Sequence, residues 1–180
     1  VNSPADLAGK TIVSAGQGST AEAVARHLLG EDVTIDYVAE HAEAVAQAVA
    51  GKYDLVLLPE PFVTSLLAQD KGFRIAVNLT TEWEAATGAQ LPMGGIAVRT
   101  AFAEQNPEAI ATFLAECAES VTSANEDPAE AAALIGQFDI MQAAVAGQAI
   151  PRANMVCITG DAMRTALEGF YTVLLSDNAE

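Results

Sequence analysis

At 180 residues the chain is long enough for a domain with a sizeable buried core, and its 51% hydrophobic, 18% charged composition is globular. Only 8 Lys and Arg stand against 24 Asp and Glu, a net charge of −16 without any basic cluster, which argues against nucleic acid and reads as a solubilising surface. No apolar run approaches the roughly 18 residues of a membrane span, and residues 1–6 have neither the basic nor the apolar region of a signal peptide, as expected of a chain whose leader is absent.

Thr11-Ile12-Val13-Ser14-Ala15 is a β-branched run that stops at Gly16 and predicts a first strand. Ser19 or Thr20 then caps a helix to about Leu29, with Glu22 in its first turn and Gly30 as its stop. Residues 33–38 alternate as a second strand, and 42–50 carry Ala and Val at helical spacing up to Gly51. Residues 53–58 form a continuous apolar run, the kind of strand buried on both faces of a parallel sheet. Pro59-Glu60-Pro61 ends it, and a short helix follows over 62–69. Residues 73–79 predict a fourth strand, 80–90 an irregular stretch or a single helical turn around Trp83, and 93–99 a fifth strand.

Beyond Ala101 the chain turns helical. One helix opens at Asn106-Pro107-Glu108 and runs to about Ala124, with proline at its first position. Another opens at Asp127-Pro128, residues 136–139 interrupt it, and a third covers 141–149. After a loop at 151–154, Thr159-Gly160-Asp161 caps a last helix to about Leu175. This order predicts an α/β fold: a three-layer sandwich on a mixed, mainly parallel sheet of about five strands over residues 1–100. A helical C-terminal region, 101–180, is expected to pack on that lobe.

Ligands of such sheets sit beyond the carboxyl ends of the strands. The candidate contacts are therefore Gly16, Gln17, Gly18, Ser19 and Thr20, then Glu40 and His41, Glu60 and Pro61, residues 78–81, and the neighbourhood of Met93 and Gly94. In the 16–20 turn, glycines permit close backbone approach, and the N–H groups of Ser19, Thr20 and Ala21 at the helix start favour an anionic or electronegative group. The plainer alternative is a tight strand-to-helix turn with an N-cap. Gly16-x-Gly18-x-x-Ala21 also fits a dinucleotide fingerprint with Asp36 downstream, which would make this a nucleotide-dependent oxidoreductase domain; Asp36, however, falls in mid-strand instead of at a strand end.

Glu60, fixed between two prolines, suits a positioned ligand contact or a rigid turn. His41 is the best acid–base candidate but has no identifiable partner, and a packing role is the alternative. Trp83, Phe62 and Met93 serve either as crevice walls or as core. Cys117 and Cys157 read as small buried hydrophobes, and their spacing does not argue for a bridge. With only His27 and His41 besides, no metal-ligand spacing exists, and neither a nucleophile–base pair nor a cofactor is indicated.

The order of motifs carries more. Asp6-Leu7-Ala8-Gly9-Lys10-Thr11-Ile12, then Gly18-Ser19-Thr20, then residues 51–62 with Leu58-Pro59-Glu60-Pro61-Phe62, and finally residues 102–110 with Asn106-Pro107-Glu108, resemble ABC-importer solute-binding proteins. The subgroup they resemble is the sulfonate/nitrate/thiamine-precursor (SsuA/THI5-like) family. The resemblance implies two α/β lobes that clamp a solute, with this chain similar to the second lobe and the helical region after it, and the first lobe missing. It implies ligand contact by Gly18, Ser19 and Thr20 and by Glu60 and Pro61, with Met93 and Gly94 near the hinge. It further implies no enzyme activity, an extracytoplasmic location (periplasmic or as a cell-surface lipoprotein), and delivery of a small solute to a membrane permease. No strand-end arginine is present to read a sulfonate or nitrate, so a neutral or aromatic heterocycle stands beside an anion as the expected ligand.

Overall fold

The computed structural model describes residues 1–69 and 71–177; residues 178–180, the end of the expected helical region, lie outside the described residues. The chain groups into two compact units, Val1–Met93 together with Gly160–Glu180, and Gly94–Thr159. These bounds differ from 1–100 and 101–180, because the last helix groups with the first unit.

In the first unit, β1 (Thr11–Ala15) and β2 (Thr34–Val38) pair in parallel, Thr11 opposite Thr34 and Ala15 opposite Val38. Residues 55–57 join the other edge of β1: the Val13 N–H donates to the Leu55 carbonyl at 3.0 Å, and the Leu57 N–H to the Val13 carbonyl at 2.9 Å. β1 is therefore central, and its Ile12, Val13, Ser14 and Ala15 are all buried. Helix α1 (Thr20–Leu29) links β1 to β2, and α2 (His41–Val49) leads back across β1. Right-handed crossovers running in opposite directions place these two helices on opposite faces. α2 approaches through its buried Ala44 and Ala48, small residues that let a helix lie close to the strands.

The sheet is smaller than expected. Residues 53–58 pair only through a bridge at Val56, and Leu55, Val56, Leu57 and Leu58 are half-buried instead of covered on both faces. Among the described residues, 73–77 and 93–98 are not strands and have no backbone bond to a neighbouring strand. An apolar β-branched run becomes a strand only where a second backbone partners its N–H and C=O groups, and among the described residues no backbone supplies those bonds to these two. Among the described residues the sheet thus has two strands and a bridge, not about five strands, while the α/β class holds.

The 80–90 stretch is also more regular than expected. α4 (Leu79–Thr87) begins where the Asn78 side chain accepts from the Thr80 and Thr81 N–H groups at 3.0 and 3.3 Å, and it ends at Gly88, whose φ of 68° is left-handed. Its Trp83 is fully buried with Val24 of α1 and Phe170 of α9 (Gly160–Asp177), its ring 5.3 Å from Phe170 and 5.1 Å from His27. Trp83 is core, not a crevice wall. α3 (Phe62–Leu67) completes the unit, and a separate cluster of Leu7, Ile12, Ala25, Val33 and Ile35 fills one face of the sheet.

The second unit is helical: α5 (Thr100–Gln105), α6 (Pro107–Glu126), α7 (Pro128–Gln137) and α8 (Ala143–Ala149). Proline opens α6 and α7, and Asp127 caps α7 by accepting from the Glu130 N–H at 2.9 Å. Its core is slight, built on Ala132, Ala146 and Ile150. α7 and α8 meet closely at Gly136, where a Cβ would stand 3.0 Å from that of Ala143. Cys117 and Cys157 are free thiols, and both are half-buried instead of fully buried.

Candidate functional site

Parallel pairing brings the carboxyl ends of β2, β1 and residues 55–57 side by side. Three turns leave that edge, and each opens a helix: 16–20 before α1, 39–40 before α2, and 59–61 before α3. The structure therefore gathers Gly16, Gln17, Gly18, Ser19 and Thr20 with Glu40 and His41 and with Glu60 and Pro61. The last two turns meet directly, with the His41 and Phe62 rings 5.1 Å apart. Phe62 thus packs at the edge. Met93 closes the first unit and Gly94 opens the second, so these two candidates are divided between units; Met93 is exposed.

The 16–20 turn needs its glycines, since Gly16 and Gly18 have φ of 80° and 77°. The Ser19 N–H donates to the Gly16 carbonyl at 3.0 Å and closes the turn. Ser19 Oγ accepts from the Glu22 N–H at 3.4 Å, and Glu22 Oε2 accepts from the Gly18 N–H at 2.6 Å. This is a reciprocal cap of the S-x-x-E kind, with the carboxylate reaching one residue beyond the cap. Of the three N–H groups expected to face a ligand, that of Ser19 is consumed by the turn. Those of Thr20 and Ala21 have no partner among the described residues.

Glu22 is held below the ordinary glutamate range by the Tyr37 hydroxyl beside it, then by the Gly18 N–H, with Arg26 adding attraction against the cost of burial. Arg26 Nε stands 3.8 Å from Glu22 Oε1. The Tyr37 hydroxyl is buried and outside good hydrogen-bond geometry; burial first, then the approach to the Glu22 carboxylate as a hydrogen-bond acceptor and its charge, push its pKa up.

At the second turn, the Ala39 N–H donates to Glu43 Oε2 at 3.2 Å. Glu40 is exposed and makes no cap bond through its side chain. His41 is half-buried, and its Nδ1 is buried without a partner. At the third turn, Glu60 Oε2 accepts from the Thr64 N–H at 3.1 Å and from Thr64 Oγ1 at 2.8 Å. Its carboxylate is folded back over the start of α3, so one of its roles is a helix cap. The Glu60–Pro61 peptide is cis. Sequence reasoning passed over Tyr37 and Glu43; a Glu three residues after the residue preceding α2 is the signal that marks Glu43.

The dinucleotide alternative gains nothing from this geometry. Asp36 sits opposite Val13 in the middle of β2 and accepts from the Tyr53 hydroxyl at 2.8 Å. Glu22 also places a carboxylate where a pyrophosphate would have to lie. Among the described residues no group of three or more His, Cys, Asp or Glu is placed to hold a metal ion, and no helix is long and apolar enough to cross a membrane.

Comparison with known proteins adds two findings. Residues 1–174 match the model of a family described as Menaquinone biosynthesis. Among solved structures, the chain is similar to the alkanesulfonate-binding protein SsuA from Xanthomonas axonopodis pv. citri bound to MOPS, with 17% identity and a TM-score of 0.66. That likeness covers 98% of this chain and 60% of the other, so the chain spans about three fifths of that protein's length. It shows the fold, the periplasmic-binding-protein type II architecture. Comparison with curated proteins gave no match.

Proposed function

The chain belongs to the menaquinone biosynthesis family, and from that premise and its solute-binding fold we propose that it is one lobe of an extracytoplasmic solute-binding protein of an ABC importer. The protein binds a small polar or heterocyclic solute between this lobe and a further one, then docks on a membrane permease. Domain closure around the solute is the mechanism. The observation that carries the reading is the 16–20 turn at the carboxyl edge of the sheet. There the Thr20 and Ala21 N–H groups have no partner among the described residues. Met93 and Gly94 belong to the proposed hinge region.

The test uses the two-lobe protein and the solute that co-purifies with it, identified by mass spectrometry. Ser19→Ala combined with Thr20→Ala should weaken binding by about tenfold, the effect of one or two hydrogen bonds; the protein stays folded, with a melting temperature lowered by the loss of the Ser19 cap, worth about 1 kcal/mol. Unchanged affinity would move the site elsewhere.

The family description favours a second reading, an enzyme of menaquinone biosynthesis that converts the molecule it holds. Incubating the two-lobe protein with the co-purified solute separates the two. Recovery of the solute unaltered supports transport, and turnover supports catalysis.

A further inference from the structure

Two aromatic rings from different turns meet at the carboxyl edge of the sheet. His41 opens α2 and Phe62 opens α3; their ring centroids are 5.1 Å apart and their planes inclined at 42°. Both residues are half-buried, so the core does not close over either of them. A tilted pair of this kind is a favourable aromatic arrangement, and it fixes the two side chains against each other.

The two nitrogens of His41 differ. Nδ1 is buried without a partner, whereas Nε2 is not among the buried atoms and makes no hydrogen bond among the described residues. In the neutral ring one nitrogen carries the proton and the other a lone pair. An orphaned buried N–H is rarer than an orphaned buried acceptor, so the proton belongs on Nε2, the nitrogen that solvent or a solute can reach. Packing gains nothing from this choice, because a phenyl ring would fill the same space without burying a polar atom. A polar ring retained although it lowers stability, at the edge where ligands of α/β sheets bind, fits a group kept for recognition.

We propose that His41 and Phe62 select the solute: the Nε2–H of His41 donates to a carbonyl oxygen or ring nitrogen, and the Phe62 ring stacks against a planar aromatic body. The donor acts in the plane of the imidazole, and the inclined phenyl ring supplies a separate face, so one solute can use both. The class is a planar aromatic compound bearing a carbonyl or ring-nitrogen acceptor. This rests on the reading of the carboxyl edge as a solute site and narrows the small polar or heterocyclic solute to that class.

The experiment titrates the two-lobe protein with two probes, benzamide and cyclohexanecarboxamide, which share the amide and differ in having a planar or a puckered ring. The wild type should bind benzamide about threefold or more tightly than its saturated counterpart. His41→Phe removes the donor and should weaken both probes by about tenfold, while His41→Gln, which keeps a donor, should recover most of that loss. Phe62→Leu should abolish the preference for benzamide and leave cyclohexanecarboxamide binding in place. His41→Phe should melt at or above the wild-type temperature, since it removes the orphaned nitrogen, so its lost binding is not lost folding. Imidazole nitrogen NMR should find the neutral ring protonated at Nε2, with that signal moved by benzamide. Absent benzamide binding, equal binding of the two probes by the wild type, a proton on Nδ1, or benzamide affinity unchanged in His41→Phe overturns the proposal. If Ser19→Ala with Thr20→Ala weakens benzamide binding and His41→Phe does not, only the assignment of His41 and Phe62 fails; if neither weakens it, the edge itself is not the solute site.

Discussion

Glu22 closes the start of α1 by accepting from the Gly18 N–H, and its carboxyl titrates below the ordinary glutamate range. Its lowered pKa gives a signed expectation. A carboxyl that titrates below its ordinary value of 4.5 contributes its full stabilisation above that value and loses it as the pH falls through the depressed one. The stability advantage of wild type over Glu22→Gln should therefore be constant near neutrality and vanish in acid, as read by denaturant midpoints across pH. Trp83 makes a different demand. Its whole side chain is buried between Val24 and Phe170, so Trp83→Ala should cost about 3–5 kcal/mol in unfolding free energy. The residues of the 16–20 turn were legible because glycines and a cap serine have few other uses between a strand and a helix. Trp83 was not, because a tryptophan's sequence neighbours do not say whether a third element will cover it. Glu43 was hidden because its role depends on α2 starting at His41, which the Ala-rich stretch leaves open.

Helices in this chain announce themselves, and strands do so only in part. Ser19, Asp127 and the prolines opening α6 and α7 act within a few residues of themselves, so sequence locates those starts closely. Residues 73–79 and 93–99 have strand-like composition, but strand formation is a property of two backbones, and composition reports on one. Asn78 then redirects the end of the first of these into α4. Glu60 belongs to this scale, because its carboxylate satisfies the first turn of α3. Glu60→Ala should lower stability by about 1–2 kcal/mol, measured by chemical denaturation, and should speed hydrogen exchange in α3 more than in α1. Equal effects on both helices would show that Glu60 does not act through its own helix.

Taken whole, the chain folds as two units with unequal cores. The second unit exposes Ile96, Val98, Phe102, Phe113 and Phe138, while α6 has no buried residue. Apolar surface of that kind suits contact with a further protein surface. On the proposed two-lobe account, the 180-residue chain by itself should bind solute more weakly than a two-lobe protein, whose other lobe supplies the facing contacts; equal affinities by calorimetry would sink that account. The central claim is that the turn after β1 holds the solute by its backbone, and hydrogen exchange tests it most directly. In the two-lobe protein, adding the co-purified solute should slow exchange at the Thr20 and Ala21 amides selectively, because they gain a partner that none of the described residues supplies. Unchanged exchange at both amides with the solute demonstrably bound would contradict the account.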